Sequence, residues 1–429
     1  MQDAALRLKS LVEQMLGTPL PVRVRAWDGS EAGPPGAPVL VVRNRRALRR
    51  LLWKPGELGL ARGWVSGDLG VEGDLYAALD LMSGLVWERG EDARGLVESL
   101  RDPQVRAAVR GLVAMAGPPL PPAPPREETR RRRHLHTRRT DKRAISHHYD
   151  VGNDFYEIVL GPSMVYSCAY WEDGGTLEDA QRDKLELICR KLGLKPGLRL
   201  LDVGCGWGSM AIHAAREHGV GVVGVTLSQE QAAYARKRVA DEGLTDRVEI
   251  RVQDYRDVTD GPYDAISSIG MAEHVGAERY LEYAQVLHGL LKPGGRLLNH
   301  QIARRPQRDE TTYSVDEFID AYVFPDGELA PVGTTVTQLE RAGFEVRDVE
   351  SLREHYALTL RRWVANLEAQ WARAVKLSSP PRARVWRLYM AASALAFEHN
   401  RIGVNQVLAV RTPEAAGASG LPLRARTWN

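Results

Sequence analysis

Leu200-Leu-Asp202-Val-Gly204-Cys-Gly206-Trp-Gly208 joins an apolar run ending in an aspartate to alternating glycines and then to a helical pattern. This is strand, loop and helix. Glycines in such a loop let the backbone approach a ligand closely, and the helix that follows offers unpaired N–H groups. A dinucleotide fingerprint would place glycine at 209, where Ser209 stands. It would also end the second strand on a carboxylate, where Thr226-Leu-Ser-Gln-Glu-Gln231 is found. Both departures argue against NAD and FAD.

Outward from this loop, β-branched runs at 198–203, 221–227, 248–253, 263–269, 295–302, 345–352 and near 402–410 alternate with helical patterns at 176–192, 208–218, 228–242 and 277–291. The alternation predicts an α/β unit with a mostly parallel sheet over 144–429. Lys195-Pro-Gly197 and Lys292-Pro-Gly-Gly295 read as turns that deliver the chain into the first and fifth strands. Segments 303–333 and 354–400 are too long for simple crossovers. Insertions at the carboxyl ends of sheet strands usually build the substrate pocket.

The 429 residues are enough for two or three domains. Residues 1–117 form a first α+β unit. It has a helical pattern in 1–17, strands at 22–27 and 39–42, helices around 45–53, 74–87 and 91–115, and a stretch rich in turn residues at 59–68. No catalytic constellation is visible there. A proline run, Gly117–Pro125, then leads into 126–143, which holds nine Lys/Arg against three acids. The whole chain carries only +3, so its basicity belongs to this segment. A stiff linker and a cationic patch mark a domain boundary at 118–143. A solvated linker, a nucleic-acid patch and a site for anionic lipid headgroups compete for the patch. No aromatic-interleaved motif accompanies it, which places nucleic acid last. No apolar run is long enough to span a membrane, no signal peptide is evident, and Cys168, Cys189 and Cys205 show neither pairing nor metal spacing. A cytoplasmic protein without disulfides or metal is expected. His147-His148 has no third ligand in sight.

Several further motifs follow one another: His147-His-Tyr149-Asp150-Val-Gly-Asn153-Asp-Phe155-Tyr156, Tyr166-Ser-Cys168-Ala-Tyr170-Trp171, Gly270-Met-Ala-Glu273-His274-Val-Gly276, Asn299-His300-Gln-Ile302, Tyr322-Val-Phe324-Pro325-Asp-Gly327 and His355-Tyr356-Ala-Leu-Thr359. Taken singly they allow plain readings. Cys168 is a small buried hydrophobe or a nucleophile, Glu273 caps a helix, His300 sits hydrogen-bonded in a core, and Tyr356 packs.

The glycine loop resembles motif I of class I S-adenosylmethionine (SAM) methyltransferases. The series as a whole, over roughly 144–410, resembles the cyclopropane-fatty-acyl-phospholipid synthase family, which includes mycolic-acid cyclopropane synthases and fatty-acid methyltransferases. The first unit is similar, more loosely, to the lipid-engaging extra domain of full-length bacterial members. The resemblance implies a class I SAM-methyltransferase fold with a seven-stranded Rossmann-like sheet. It implies that Asp202, Gly204, Gly206 and Gly208 line the amino-acid end of SAM, that Thr226 and Gln231 flank its adenosine, that Asp254 and Tyr255 hold the adenine, and that Tyr149 and Ser167 lie against the cofactor.

For the reaction, the resemblance implies transfer of the SAM methyl to a cis double bond of a phospholipid acyl chain. The resulting carbocation loses a proton to a bicarbonate held by Cys168, Glu273, His300, Ile302 (through its backbone) and Tyr356. A carbocation wants π-faces or negative charge nearby, which Tyr166, Tyr170, Phe324 and Glu273 offer, and a dry channel, for which Trp363, Trp371, Trp386 and Tyr389 are suitable walls. Peripheral association with the inner face of the membrane and a homodimer accompany the resemblance. A methylene product would call for a separate reductase. Two rivals stay open: methylation of a soluble small molecule, and a lipid- or nucleic-acid-binding protein on an inactive methyltransferase fold.

Overall fold

The computed structural model describes residues 3–86, 101–118, 120–129, 151–310, 313–325, 327–413, 419–423 and 426. The chain divides into two units. The first comprises Met1–Arg131 with Asp316–Val323 and Ser379–Leu395, and the second comprises Arg132–Val315, Phe324–Ser378 and Ala396–Asn429.

In the first unit, strands β1 (Arg23–Arg25), β2 (Glu31–Ala32), β3 (Val39–Val42) and β4 (Leu69–Glu72) form a sheet of order β2-β1-β3-β4. Helices α1 (Ala4–Leu16), α2 (Arg46–Trp53), α3 (Glu57–Val65), α4 (Leu75–Val86) and α5 (Pro103–Ala116) accompany it. Leu8, Val24, Val42, Leu48, Leu69 and Leu112 share one core. The stretch at 59–68, turn-like by composition, is largely helical. Gly67 keeps a turn conformation (φ 72°), but Gly59 and Gly63 serve close packing instead: a Cβ on Gly59 would lie 1.9 Å from the Lys54 carbonyl oxygen, and one on Gly63 would lie 2.7 Å from Leu69 Cδ1. Of the helix expected at 91–115, the part before residue 101 lies outside the described residues.

The second unit holds β5 (Arg199–Val203), β6 (Gly221–Thr226), β7 (Val248–Val252), β8 (Tyr263–Ile269), β9 (Leu291–Arg304), β10 (Glu345–Ser351) and β11 (Ile402–Val410) in the order β10-β11-β9-β8-β5-β6-β7. Strands β5 to β9 run parallel, and β11 pairs antiparallel with both β9 and β10. The helices that follow in the chain are α6 (Asn153–Leu160), α7 (Leu177–Leu192), α8 (Ser209–His218), α9 (Gln229–Asp241), α10 (Tyr280–Leu290), α11 (Glu317–Tyr322), α12 (Val332–Arg341), α13 (Arg353–Ala369), α14 (Trp371–Leu377) and α15 (Pro380–Glu398), all of them in the second unit except α11 and most of α15. This is the α/β fold that the alternating pattern predicts. The chain winds outward from β5 in both directions, so the crevice at its carboxyl end is the topological switch point.

Two details depart from the sequence reading. Lys292–Gly295 does not precede its strand as a turn. It lies within β9, where Gly294 N donates to Arg411 O at 2.6 Å and Arg411 N to Gly295 O at 3.0 Å, extending the β11 ladder. The insertions also do not stay whole: α11 and most of α15 belong to the first unit, so Trp386 and Tyr389 are part of its packing. There Trp64 Nε1 donates to Arg384 O at 2.9 Å, and Tyr322 OH donates to Glu128 Oε2 at 2.8 Å.

Candidate active site

A cavity opens where β5, β6, β7 and β8 end. Ser167, Lys184, Asp202, Gly204, Gly206, Trp207, Thr226, Gln231, Asp254, Tyr255, Met271 and His274 are among its lining residues. The loop after β5 bends through left-handed conformations at Gly204 (φ 74°), Gly206 (φ 53°) and Gly208 (φ 82°), which a side chain would strain. A Cβ on Gly204 would also meet Met271 Sδ at 3.3 Å across the cavity wall. Gly208 does not line the cavity. It precedes α8, and a Cβ there would meet Ala235 Cβ at 3.1 Å, so its job is close packing on α9. Tyr149 lies outside the described residues.

Asp202 is buried at the end of β5. Ser267 Oγ donates to its Oδ1 at 2.8 Å, whereas Oδ2 has no hydrogen-bond partner among the described residues. Burial pushes its carboxyl up to about 6 despite the Ser267 bond and the Lys184 charge. Thr226 Oγ1 donates to Gln231 Oε1 at 3.0 Å, so these two polar residues at the end of β6 hold each other. Asp254 is bound to Arg256 at 2.6 Å and caps the turn that carries Tyr255.

Lys184 escaped the sequence reading. It sits on α7 among residues that pattern as an amphipathic helix, yet it is 1% exposed and its Nζ donates to Ser167 Oγ at 3.0 Å. Burial lowers its ammonium to about 8, against the opposing pull of Cys168 and Asp202. His274, also unassigned, lines the cavity with its imidazole lowered to about 4 by burial.

The five residues expected at the acceptor end are not part of the cavity lining, and of them Cys168 and Glu273 have lining residues as sequence neighbours. Cys168 follows Ser167, and Glu273 lies between Met271 and His274. Backbone contacts link them behind that wall. Cys168 Sγ contacts Leu352 O at 3.6 Å, and Tyr356 N donates to the same carbonyl at 3.1 Å. Leu352 N donates to Val404 O at 2.9 Å, and Val404 pairs with Ile302. Ile302 N in turn donates to Glu273 Oε1 at 2.7 Å. The Ile302 amide expected to face an anion therefore grips the glutamate here. Burial pushes the Glu273 carboxyl up to about 7, and its Oε2 has no partner among the described residues. His300 is 2% exposed. Its Nδ1 lies 3.3 Å from Gln406 Nε2, and its Nε2 has no partner among the described residues. The Cys168 thiol is fully buried and its pKa is pushed far up by that burial, so no thiolate nucleophile forms.

The Tyr166–Trp171 stretch is held from α13. Thr359 Oγ1 accepts from Ala169 N at 3.1 Å and from Trp171 Nε1 at 3.0 Å, and donates to His355 O at 2.7 Å. His355 Nδ1 accepts from Trp171 N at 2.9 Å, and its ring stacks on Tyr170 at 4.9 Å. Tyr170 thus braces the stretch rather than facing the cavity. An aromatic series runs from the glycine loop to Tyr356: Trp207–Tyr156 at 4.7 Å, Tyr156–Tyr166 at 5.6 Å, Tyr166–Trp363 at 5.4 Å and Trp363–Tyr356 at 6.0 Å. Asn153 Oδ1 anchors its near end by accepting from Trp207 Nε1 at 2.8 Å.

One cluster stands apart from this cavity. The donor atoms of Cys189, His213 and His218 lie within 4.8 Å of one another, a proximity their spacing does not announce. Glu186 Oε2 already bridges both imidazoles at 3.3 and 2.9 Å, and Arg190 holds Oε1 at 2.8 Å. The shared carboxylate already engages Nε2 of both rings, and the neighbouring guanidinium opposes a cation there.

Residues 136–407 match the family model described as Mycolic acid cyclopropane synthetase. The chain is similar to a probable fatty acid methyltransferase of Mycobacterium tuberculosis, 46% identical over 410 residues, with 94% of each chain covered. It is similar to the cyclopropane-fatty-acyl-phospholipid synthase of Escherichia coli, 42% identical over 267 residues that cover 62% of this chain and 67% of that one. Among solved structures it resembles a mycolic acid cyclopropane synthase complexed with SAH and CTAB, with TM-score 0.59 and 35% identity, over 62% of this chain and 97% of the other. The β5 loop, the cavity at the switch point and these matches agree: the chain belongs to the mycolic acid cyclopropane synthetase family of SAM-dependent methyltransferases.

Proposed function

We propose that this enzyme transfers the methyl group of SAM to the cis double bond of an unsaturated phospholipid acyl chain, through a carbocation deprotonated by bicarbonate, giving a methylene-branched or a cyclopropane fatty acid, with a separate reductase supplying the two electrons needed to turn the methylene into a methyl branch. The observation that carries this reading is the pair of buried polar atoms without partners among the described residues, Glu273 Oε2 and His300 Nε2, directly behind the cavity wall. Most buried polar groups in native structures are paired, and a bound group is one reason for an exception.

The residues fit both groups. Ser167, Asp202, Gly204, Gly206, Thr226, Gln231, Asp254 and Tyr255 line the cavity and would hold SAM, with Asp202 Oδ2 free to accept from it. When bound, SAM supplies an electrophilic methyl, so an alkene can react without a strong base. Glu273, His300 and Tyr356, with Cys168 beside them, would hold the bicarbonate. With its carboxyl raised to about 7, Glu273 is substantially protonated near neutrality and can donate to an anion instead of repelling it. Tyr166 and Trp363 offer π-faces to a cation and help keep water from capturing it.

Among the described residues no helix is long and apolar enough to cross a membrane. The nine Lys/Arg against three acids in 126–143 support peripheral binding at an anionic surface, with that segment attracting the lipid headgroups. Its residues beyond 129 lie outside the described residues. The test is mass spectrometry of phospholipids from a host expressing the chain. A gain of one CH2 per unsaturated acyl chain is expected, and proton NMR or hydrogenation then separates ring from branch. A SAM-bound protein that leaves every acyl chain unchanged would overturn the reading, and activity on free small molecules without vesicles would redirect it. Deleting 126–139 should weaken binding to anionic vesicles.

A further inference from the structure

His300 is held from behind by a chain of side chains that no sequence motif announces. Lys191, on α7, is 0% exposed. Its Nζ pairs with Glu350 Oε2, lies 3.6 Å from Asp348 Oδ2 and donates to Gln406 Oε1 at 2.9 Å. On β11, Gln406 is also 0% exposed and stands opposite His300 in the β9–β11 ladder. Its Nε2 lies 3.3 Å from His300 Nδ1.

The chemistry of these groups fixes their orientation. An ammonium has only protons to give, so the Gln406 atom facing it must be the carbonyl oxygen. The amide nitrogen then faces Nδ1 and can only donate. Nδ1 must supply its lone pair, and a neutral imidazole that accepts at Nδ1 carries its proton on Nε2. That N–H is buried and has no partner among the described residues. Burial, with the positive charges of Lys184 and Lys191 adding to it, holds the ring neutral.

We infer that Lys191 and Gln406 are positioning residues that lock His300 as its neutral Nε2–H tautomer, making His300 a hydrogen-bond donor to an oxyanion at the acceptor end and not the base that takes the substrate proton. The inference rests on the proposed function for the identity of that oxyanion, while the tautomer is a property of the free protein.

The test is ¹H–¹⁵N NMR of the full chain labelled in histidine, with the His300 signal identified by its loss in His300→Gln. An unprotonated Nδ1 and a protonated Nε2 are expected across neutral pH. In Gln406→Glu, a carboxylate replaces the amide donor. Nδ1 should then gain a proton, and turnover on unsaturated phospholipid vesicles should fall about tenfold or more with SAM affinity unchanged. A protonated Nδ1 in the unaltered protein overturns the inference without any variant, so a misfolded Gln406→Glu does not shelter it. Retention of the Nε2–H signature and full turnover in that variant overturns it as well. An unaltered protein that shows the expected tautomer yet modifies no acyl chain leaves the relay standing and sinks the methyl-transfer reading, so the two failures are told apart.

Discussion

The cofactor cavity and the acceptor end behind it are built on opposite principles. The cavity is shaped by backbone: left-handed glycines carry the loop past β5, and its buried charges, Asp202 and Lys184, offset one another. The proposed acceptor end is shaped by side chains from distant segments, and there Glu273 Oε2 and His300 Nε2 have no hydrogen-bond partner among the described residues. A backbone cradle suits a ligand that must be held whole in every turnover. A pocket of unsatisfied buried donors suits an anion, because each unpaired group already bears a desolvation penalty that binding relieves.

Glu273→Leu breaks this contrast most severely. It removes both the acceptor for Ile302 N and the donor proposed for the anion, so turnover should fall about 10²-fold or more while calorimetric SAM affinity is unchanged. A matching loss of SAM binding would merge the two regions into one site. The second test is pH. The folded-state value for Glu273, about 7, lies above its ordinary 4.5. The protonated form is therefore native below that range and is lost as pH rises through it. Turnover at fixed bicarbonate should drop about tenfold per pH unit above about 7, and a profile flat to pH 9 would refute the donor role. By the same sign, the stability contributed by the neutral acid is complete below 4.5 and gone above about 7.

Asp202→Asn keeps the bond from Ser267 but removes the charge beside Lys184. SAM affinity should weaken about tenfold, with turnover at saturating SAM closer to normal. Unchanged affinity would mean that the cavity is held by backbone alone. Thr359→Val has the smallest expected effect. It strips the acceptor from Ala169 N and Trp171 Nε1, costing about 1–3 kcal/mol and a melting shift of a few degrees. Because Thr359 braces Tyr166–Trp171 beside both regions, the variant shows which of them depends more on that brace.

Local pattern carried the fold because it is written in short-range terms. The β-branched runs, the glycine loop and the helical spacings name every strand from β5 to β11 to within a residue except β9, which begins four residues earlier and ends two later than its run, since strand burial and backbone conformation are decided mostly by neighbours in the chain. The misses have the opposite origin. Gly59 and Gly63 look like turn residues because composition cannot show that Lys54 and Leu69 lie against them. Lys184 and Lys191 look like the solvated side of α7, and Glu186 and Cys189 look unrelated to His213 and His218. Each depends on a partner from another element.

By itself, then, the sequence determined the class of fold and the place of the cofactor loop, and its motifs nominated the residues proposed for the acceptor end. Only the tertiary structure decided what those residues do to one another. It turned the Ile302 amide onto Glu273, left the other oxygen of that carboxyl without a partner among the described residues, and set Gln406 and Lys191 behind His300. Protonation and tautomer are set by burial and by the nearest donor or acceptor, and those are properties of packed neighbours that no linear spacing records.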